Sequence, residues 1–320
     1  PNITFAHLFV QQTFGLGGET ETLPDGPLQL PRKVDISRIT LMAGKLSAKD
    51  YFDVSSYAND ARTQFLNWSL MANGAWDYPA DSLGYTPGVV ADWHEHYWSF
   101  RYGAFQVPRA ANSAASDPHF LEAWSMAAEV EHRHQWHAHP GAVQLLAYLN
   151  RAHMGSYDAT LADPSLGADI SLTREYRYKH GFGLNAEQEL TRDLGVFLRL
   201  GWSDGKSESW AFTDVDRTAS LGLSLKGTTW HRPEDTLGIA GVINAISGHH
   251  AAFLAAGGTG ILAGDGALSY ATERILEVYY DFHVWKTAHL AVDFQYLENP
   301  AYNRDRGPVP VFGARLHWEL

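Results

Sequence analysis

The sequence predicts an all-β fold, an antiparallel transmembrane β-barrel, and three observations predict it. Stretches of roughly ten to fifteen residues alternate apolar and polar side chains, the period of a strand with two different faces. Short and long connections between those stretches follow one another strictly, as they do where turns lie on one side of a membrane and loops on the other. Charged residues fall on one face of nearly every stretch, and a basic charge on the lipid face costs about 2–4 kcal/mol at the midplane, so that face must line a wet interior.

The first strand spans residues 3–14 and runs into a turn-rich linker holding Gly15, Gly17, Gly18, Pro24, Gly26 and Pro27. The next, over 33–44, puts Val34, Ile36, Thr40 and Met42 on one face but alternates poorly. An insert of residues 45–85 follows, with no strand-like alternation; a connection of that length is uncommon in a compact domain and usually functional. Within it, 60–71 reads as a short helix capped by Asn59 or Asp60.

Strands are then expected at 86–94 and 97–107, turning near Glu95 and His96, and at 123–136 and 142–153, turning through 137–141. The next pairs are 177–190 with 195–204, and 215–226 with 236–246, the latter turning through Trp230 and Pro233. Strands 270–285 and 288–298 turn at Lys286 and Thr287, and 309–320 is the last. The long connections are 108–122, 154–176, 205–214, 247–269 and 299–308.

Face assignment is clear in several strands. Val196, Leu198, Leu200 and Trp202 oppose Arg199 and Ser203; Leu276, Val278, Tyr280 and Phe282 oppose Glu273, Glu277 and Asp281. By this parity Glu129, Glu131, Arg133, Lys179, Glu187, Arg199, Glu277 and Arg315 line the pore. The count is about 13 strands. A last strand running inward makes the first run inward too, and bacterial barrels usually have even numbers, so strands are expected upstream; three would make sixteen. The whole chain, 1–320, is expected to be one barrel domain, with 45–85 a constriction loop folded into it.

Composition fits. Of 320 residues, 24 are basic and 36 acidic, a net charge of −12 that argues against a nucleic-acid partner. The lack of cysteine excludes disulfides and thiolate metal sites. No apolar window is long enough for a membrane helix, and a mean hydropathy of −0.25 suits strands apolar on one face only.

The insert carries Asp50, Asp53, Asp60, Arg62, Asn67, Trp68, Trp76, Asp77 and Asp81. Carboxylates and amides bond hydroxyl groups and flat rings cover C–H faces, so these are the residue types that meet sugars. They are the candidate constriction. The plainer reading is that the acids and amide cap turns and tie the loop to the wall.

The stretches QQTFGLGGETET, FDVSSYANDARTQFLNWSLMANGAWDYPADSLGY, DGALSYATERILEVYY and NPAYNRDRGPVPVFGARLHWEL resemble the carbohydrate-selective outer-membrane porins of the OprB-type family. The resemblance spans essentially the whole chain. It implies a sixteen-stranded barrel in the bacterial outer membrane, an N-terminal portion absent from this sequence, a constricting insert, and passive diffusion of small saccharides into the periplasm. Such proteins commonly end in Phe, whereas this chain ends in Trp318, Glu319 and Leu320.

Saccharides, outer-membrane lipid and lipopolysaccharide are the expected contacts, with a homotrimer or an envelope partner also open. No cofactor or metal is expected: His132, His134, His137 and His139 invite a metal reading, but His132 and His134 share a face with Trp136 near a predicted turn and suit an interfacial girdle. Glu187 with Glu189, or Asp214 with Asp216, has a spacing that glycoside hydrolysis allows, yet such pairs are commonplace on a wet wall. The rival functions are a barrel component of an envelope assembly or export conduit and, less favoured, an outer-membrane barrel enzyme.

Overall fold

A computed structural model describes residues 5–26 and 28–318. In chain order its strands are β1 (Leu8–Gly15), β2 (Thr20–Leu23), β3 (Arg32–Asp35), β4 (Arg38–Leu46), β5 (Thr86–His94), β6 (Trp98–Phe105), β7 (Trp124–Trp136) and β8 (His139–Met154). There follow β9 (Glu175–Glu189), β10 (Leu194–Ser203), β11 (Arg217–Gly227), β12 (Arg232–Ala245), β13 (Glu273–Trp285), β14 (Ala288–Glu298) and β15 (Val309–Trp318). Helices α1 (Trp68–Met71), α2 (Tyr157–Ala162) and α3 (Gly248–Ala255) lie in the insert and in two long loops.

Thirteen strands form one antiparallel meander in the order β1-β4-β5 and onward in sequence to β15, while β2 and β3 pair separately. Strands β1 and β15 are its two edges, and among the described residues no ladder joins them. The sheet must curl. At about 4.8 Å per strand a flat one would set β1 and β10 about 34 Å apart. Yet Asp50, bonded at 2.8 Å to His7 beside β1, is three residues from Asp53, bonded at 3.0 Å to Arg199 of β10. Three residues span at most about 11 Å.

The concave side therefore holds the insert, and the convex side is apolar. Leu145, Phe182, Leu221, Leu276, Val292 and Leu316 are exposed there. Trp93, Trp98, Trp136, Trp285 and Trp318 are exposed at the short-turn ends of their strands, where a ring's apolar body and polar N–H suit a membrane interface.

Local chemistry corrects several expectations. The strand expected over 33–44 breaks at Ile36 and Ser37 into β3 and β4, because β3 pairs with β2 rather than continuing the wall. The linker is thus a hairpin at the short-turn end, held by a 2.6 Å bond from Arg38 to Glu21 and by Asp35, which accepts from Gly17. An added Cβ at Gly15 would meet the Asp35 carboxylate at 2.2 Å and displace it from its bond to Gly17. The turn expected over 137–141 is only His137 and Ala138, both at positive φ (49° and 63°), which the twist of a two-residue hairpin requires. The helix expected over 60–71 is only α1, and its N-cap is Asn67, whose side chain accepts from Ser69. Asp60 instead forms an Asx turn, accepting from the backbone N–H of Arg62. The loop expected over 247–269 contains α3, capped by Ser247 through His250 N–H.

Candidate functional site

The insert has two faces. One is fastened to the inner wall, and the fastenings draw on the polar residues that parity points inward. Asp53, at φ 55°, is the hub. Its carboxylate accepts from Arg199 Nε (3.0 Å), from Asn73 N–H (2.7 Å) and from Lys49 Nζ (3.3 Å), while its own N–H donates to Glu129 Oε2 at 2.7 Å. Arg199 is fully buried and also donates to the carbonyls of Ala58 (2.7 Å), Leu70 (2.6 Å) and Asp53 (3.0 Å). Arg101 of β6 neutralises Glu129 at 2.8 Å and also pairs with Glu131, which Arg133 contacts at 3.2 Å.

Asp77 is a second hub, 3 % exposed. It pairs with Lys179 of β9 at 3.3 Å and accepts from the backbone N–H groups of Trp210, Ala211 and Phe212, tying the insert to the long loop after β10. Glu187 accepts from Ser55 Oγ and from Ser56 N–H and Oγ at 2.7–2.9 Å. Glu277 accepts from Leu66 and Asn67 N–H at 2.5 and 2.9 Å, and Arg315 donates to the Ala61 carbonyl at 3.0 Å. Bare positions on the wall receive the insert: a Cβ at Gly201 would meet Asn73 at 2.0 Å, and one at Gly195 would meet the Tyr57 ring at 2.1 Å.

Around these ties Phe52 and Trp76 of the insert cluster with wall residues of β4–β8, Phe105 among them, and Phe65 clusters with Phe197 of β10, Ala240 and Val242 of β12 and Tyr279 of β13. Lys49 shares the Asp53 hub; burial holds its amine down at about 8, against the opposing pull of the Asp53 charge.

The other face is open. Asp50, Arg62 and Trp68 are exposed, and Asp60, Asn67 and Asp81 are half-buried. Arg62 grips Asp60 bidentately, Nε to Oδ1 at 2.9 Å and Nη2 to Oδ2 at 2.6 Å. Burial raises the Asp60 carboxyl, but these bonds outweigh it and leave it below its usual range. Asp81 caps the turn at 83–85 and lies 3.4 Å from Lys45. The nine insert residues singled out by type thus divide: Asp53, Trp76 and Asp77 are buried in the fastened face, the half-buried Asn67 and Asp81 are tied to the wall through Glu277, Gln295 and Lys45, and Asp50, Asp60, Arg62 and Trp68 lie outside it.

Alternation puts Asn185 on the inward face beside Lys179 and Glu187, but sequence reasoning gave it no role and missed the wall amides Gln144 and Asn150 and the hydroxyl of Tyr148; all four bond the insert. Their inward parity was the available signal. It also missed the outer-loop anchor where Asp216 accepts from His250 Nδ1 (3.1 Å), Ser247 N–H (2.8 Å) and Ser203 Oγ (3.2 Å). Burial raises the Asp216 carboxyl, yet the bond and charge of His250 bring it down to about 2. The carboxylate pairs weighed for hydrolysis are engaged otherwise: Glu189 bonds His139 at 2.8 Å, and Asp214 accepts from Leu262 and Ala263 N–H.

Two cavities flank the insert. One of about 610 Å³ lies toward the short turns and is lined by Ser56, Tyr57, Arg133, Glu187 and Lys226 among others. One of about 470 Å³ lies toward the long loops, between α1 and the inner faces of β12–β14.

The family model for carbohydrate-selective porins of the OprB family matches residues 3–320. Among solved structures, the high-pH structure of Pseudomonas putida OprB superposes with a TM-score of 0.69 at 18 % identity, covering 88 % of this chain and 69 % of that one. The low-pH structure of the same protein gives 0.49 at 16 % identity, covering 88 % and 62 %. The outer membrane channel DcaP of Acinetobacter baumannii gives 0.47 at 8 % identity, covering 93 % and 76 %. No curated protein matches the chain by sequence.

Proposed function

We propose a route for the solute through a chain that belongs to the OprB family of carbohydrate-selective porins and is an outer-membrane channel for saccharides: sugars cross along the unfastened face of the insert, which narrows the bore. The observation that carries this is the division of the insert into a face buried against the wall and a face presenting Asp50, Asp60, Arg62 and Trp68. A loop held at so many points stays in place while solutes pass. The exposed groups are of the kind that exchange hydrogen bonds with hydroxyls, and their contacts must stay weak enough for the solute to leave.

The paired Asp60 and Arg62 supply an acceptor and a donor side by side without a net charge, an arrangement that suits neutral solutes. The pore-lining wall residues serve chiefly by holding the insert, and Glu131, Arg133 and Glu187 also border the inner cavity. The apolar outer face is offered to outer-membrane lipid and lipopolysaccharide, or to a second copy of the chain.

Arg62→Ala tests this route. It removes the guanidinium paired with the Asp60 carboxylate and makes the passage one charge more negative, so the cation-over-anion permeability ratio is expected to rise a few-fold, with slower sugar flux. Reversal potentials in a salt gradient and liposome swelling in sugar read the two effects. An unchanged ratio together with unchanged flux would contradict the route.

A further inference from the structure

The cavity of about 470 Å³ on the long-loop side of the insert is within the size range of small-ligand sites, about 300–1,000 Å³. One wall of it is α1. That short helix is fixed at three points: Leu66 and Asn67 N–H donate to Glu277, Asn67 Nδ2 donates to Gln295 at 3.2 Å, and Ser69 Oγ accepts from Asn244 at 3.0 Å. Trp68 is therefore held in place, yet it is 51 % exposed.

Its exposure is one-sided. Phe212 stacks on the indole with centroids 5.8 Å apart and planes 20° from parallel, and Tyr78 backs Phe212 at 4.4 Å. Phe212 is itself fixed, since its N–H donates to Asp77. An indole supported on one face and open on the other is a platform. Polar groups line the cavity close to the ring: Gln295, which accepts from the neighbouring Asn67 Nδ2, and Glu273, which shares the Asn244 amide with Ser69 of α1. Gln295 Nε2 makes a long 3.4 Å bond to Asp293, and a primary amide carries two donors. The Glu273 oxygens accept from Asn244 at 3.1 Å and from Ala301 N–H at 3.0 Å, which leaves lone pairs of a carboxylate's roughly four sites.

We propose that this cavity is a saccharide subsite on the outer side of the constriction, for a neutral mono- or disaccharide. A pyranose ring lies with its C–H face on Trp68, and its hydroxyls accept from Gln295 and donate to Glu273. The proposal rests on the route along the open face of the insert and adds a discrete, saturable binding position to it. It also selects for ring shape, because an open-chain polyol has the hydroxyls but no flat C–H face.

Single-channel recording of the full chain in planar bilayers, with maltose and sorbitol as blockers, tests it. Maltose is expected to interrupt current at far lower concentration than sorbitol. Trp68→Leu keeps bulk and removes the flat ring, and should raise the half-blocking concentration of maltose about tenfold; Gln295→Ala should raise it several-fold. If Trp68→Leu gives no channels, Gln295→Ala and Trp68→Phe carry the test, the latter retaining most of the block. Maltose block that is unchanged in Trp68→Leu, or in Gln295→Ala where that variant stands in, overturns the subsite, as does equal block by sorbitol. Such a result leaves the Asp60–Arg62 route standing, since that route fails on the permeability ratio of Arg62→Ala.

Discussion

Replacing Arg199 with alanine is expected to release the insert from the wall, giving channels with larger, noisier conductance and weakened sugar preference. Arg199 is fully buried and joins β10 to three residues of the insert through four acceptors: the carboxylate and carbonyl of Asp53 and the carbonyls of Ala58 and Leu70. Its removal deletes these bonds and strands the Asp53 carboxylate in a site 2 % exposed. Breaking a buried pair by removing one partner costs on the order of 3–5 kcal/mol. Lys49 at 3.3 Å cannot replace a guanidinium that reaches three carbonyls as well. Since the wall's own ladders do not depend on Arg199, the barrel persists while the insert loosens. Conductance histograms and protease cleavage within 47–85 read this; wild-type conductance with a protected insert would count against it.

The second large effect is expected at Asp77. Asp77→Ala leaves Lys179 buried at 1 % exposure without its carboxylate and orphans the N–H groups of Trp210, Ala211 and Phe212. The expected loss is again on the order of 3–5 kcal/mol, most of it from the stranded ammonium. Lys179→Met alone costs less, because Asp77 keeps three backbone donors. The double variant should recover part of the Asp77→Ala loss, so the two changes are not additive. Urea unfolding followed by tryptophan fluorescence measures all three; costs that simply add would show that the pair is not the source.

Much of the wall was legible because one rule governs it. In β10, Arg199 stands alone among Val196, Leu198, Leu200 and Trp202, and its inward direction follows from a period of two. Strands β5 and β14 begin and end where alternation places them, since tight turns bound them. What alternation cannot supply is the partner: Arg199 meets Asp53, 146 residues away.

The insert was legible in composition but not in orientation. Asp53 and Asp60 are the same residue type, seven positions apart, yet the first is buried against the wall and the second is partly exposed. No period of two or 3.6 runs through 45–85, and the left-handed backbone at Asp53 has no sequence mark, since Asp is only mildly favoured there. Likewise the residues 60–67 look helical until Leu66 and Asn67 are seen to spend their N–H groups on Glu277. The missed α3 did carry a mark, the Ser247 cap followed by an Ala-rich run and Gly257.

The account stands on the insert having one sealed face and one wet one, and the chain's lack of cysteine allows a direct reading. Single thiols placed at Arg62 and Trp68 on the open face, and at Ala58 and Ala72 on the fastened face (both fully buried), are exposed in turn to a water-soluble thiosulfonate during current recording. Arg62→Cys and Trp68→Cys should react quickly and lose current, while Ala58→Cys and Ala72→Cys stay unmodified. Equal reaction at all four positions, or protection at Arg62→Cys, would contradict it.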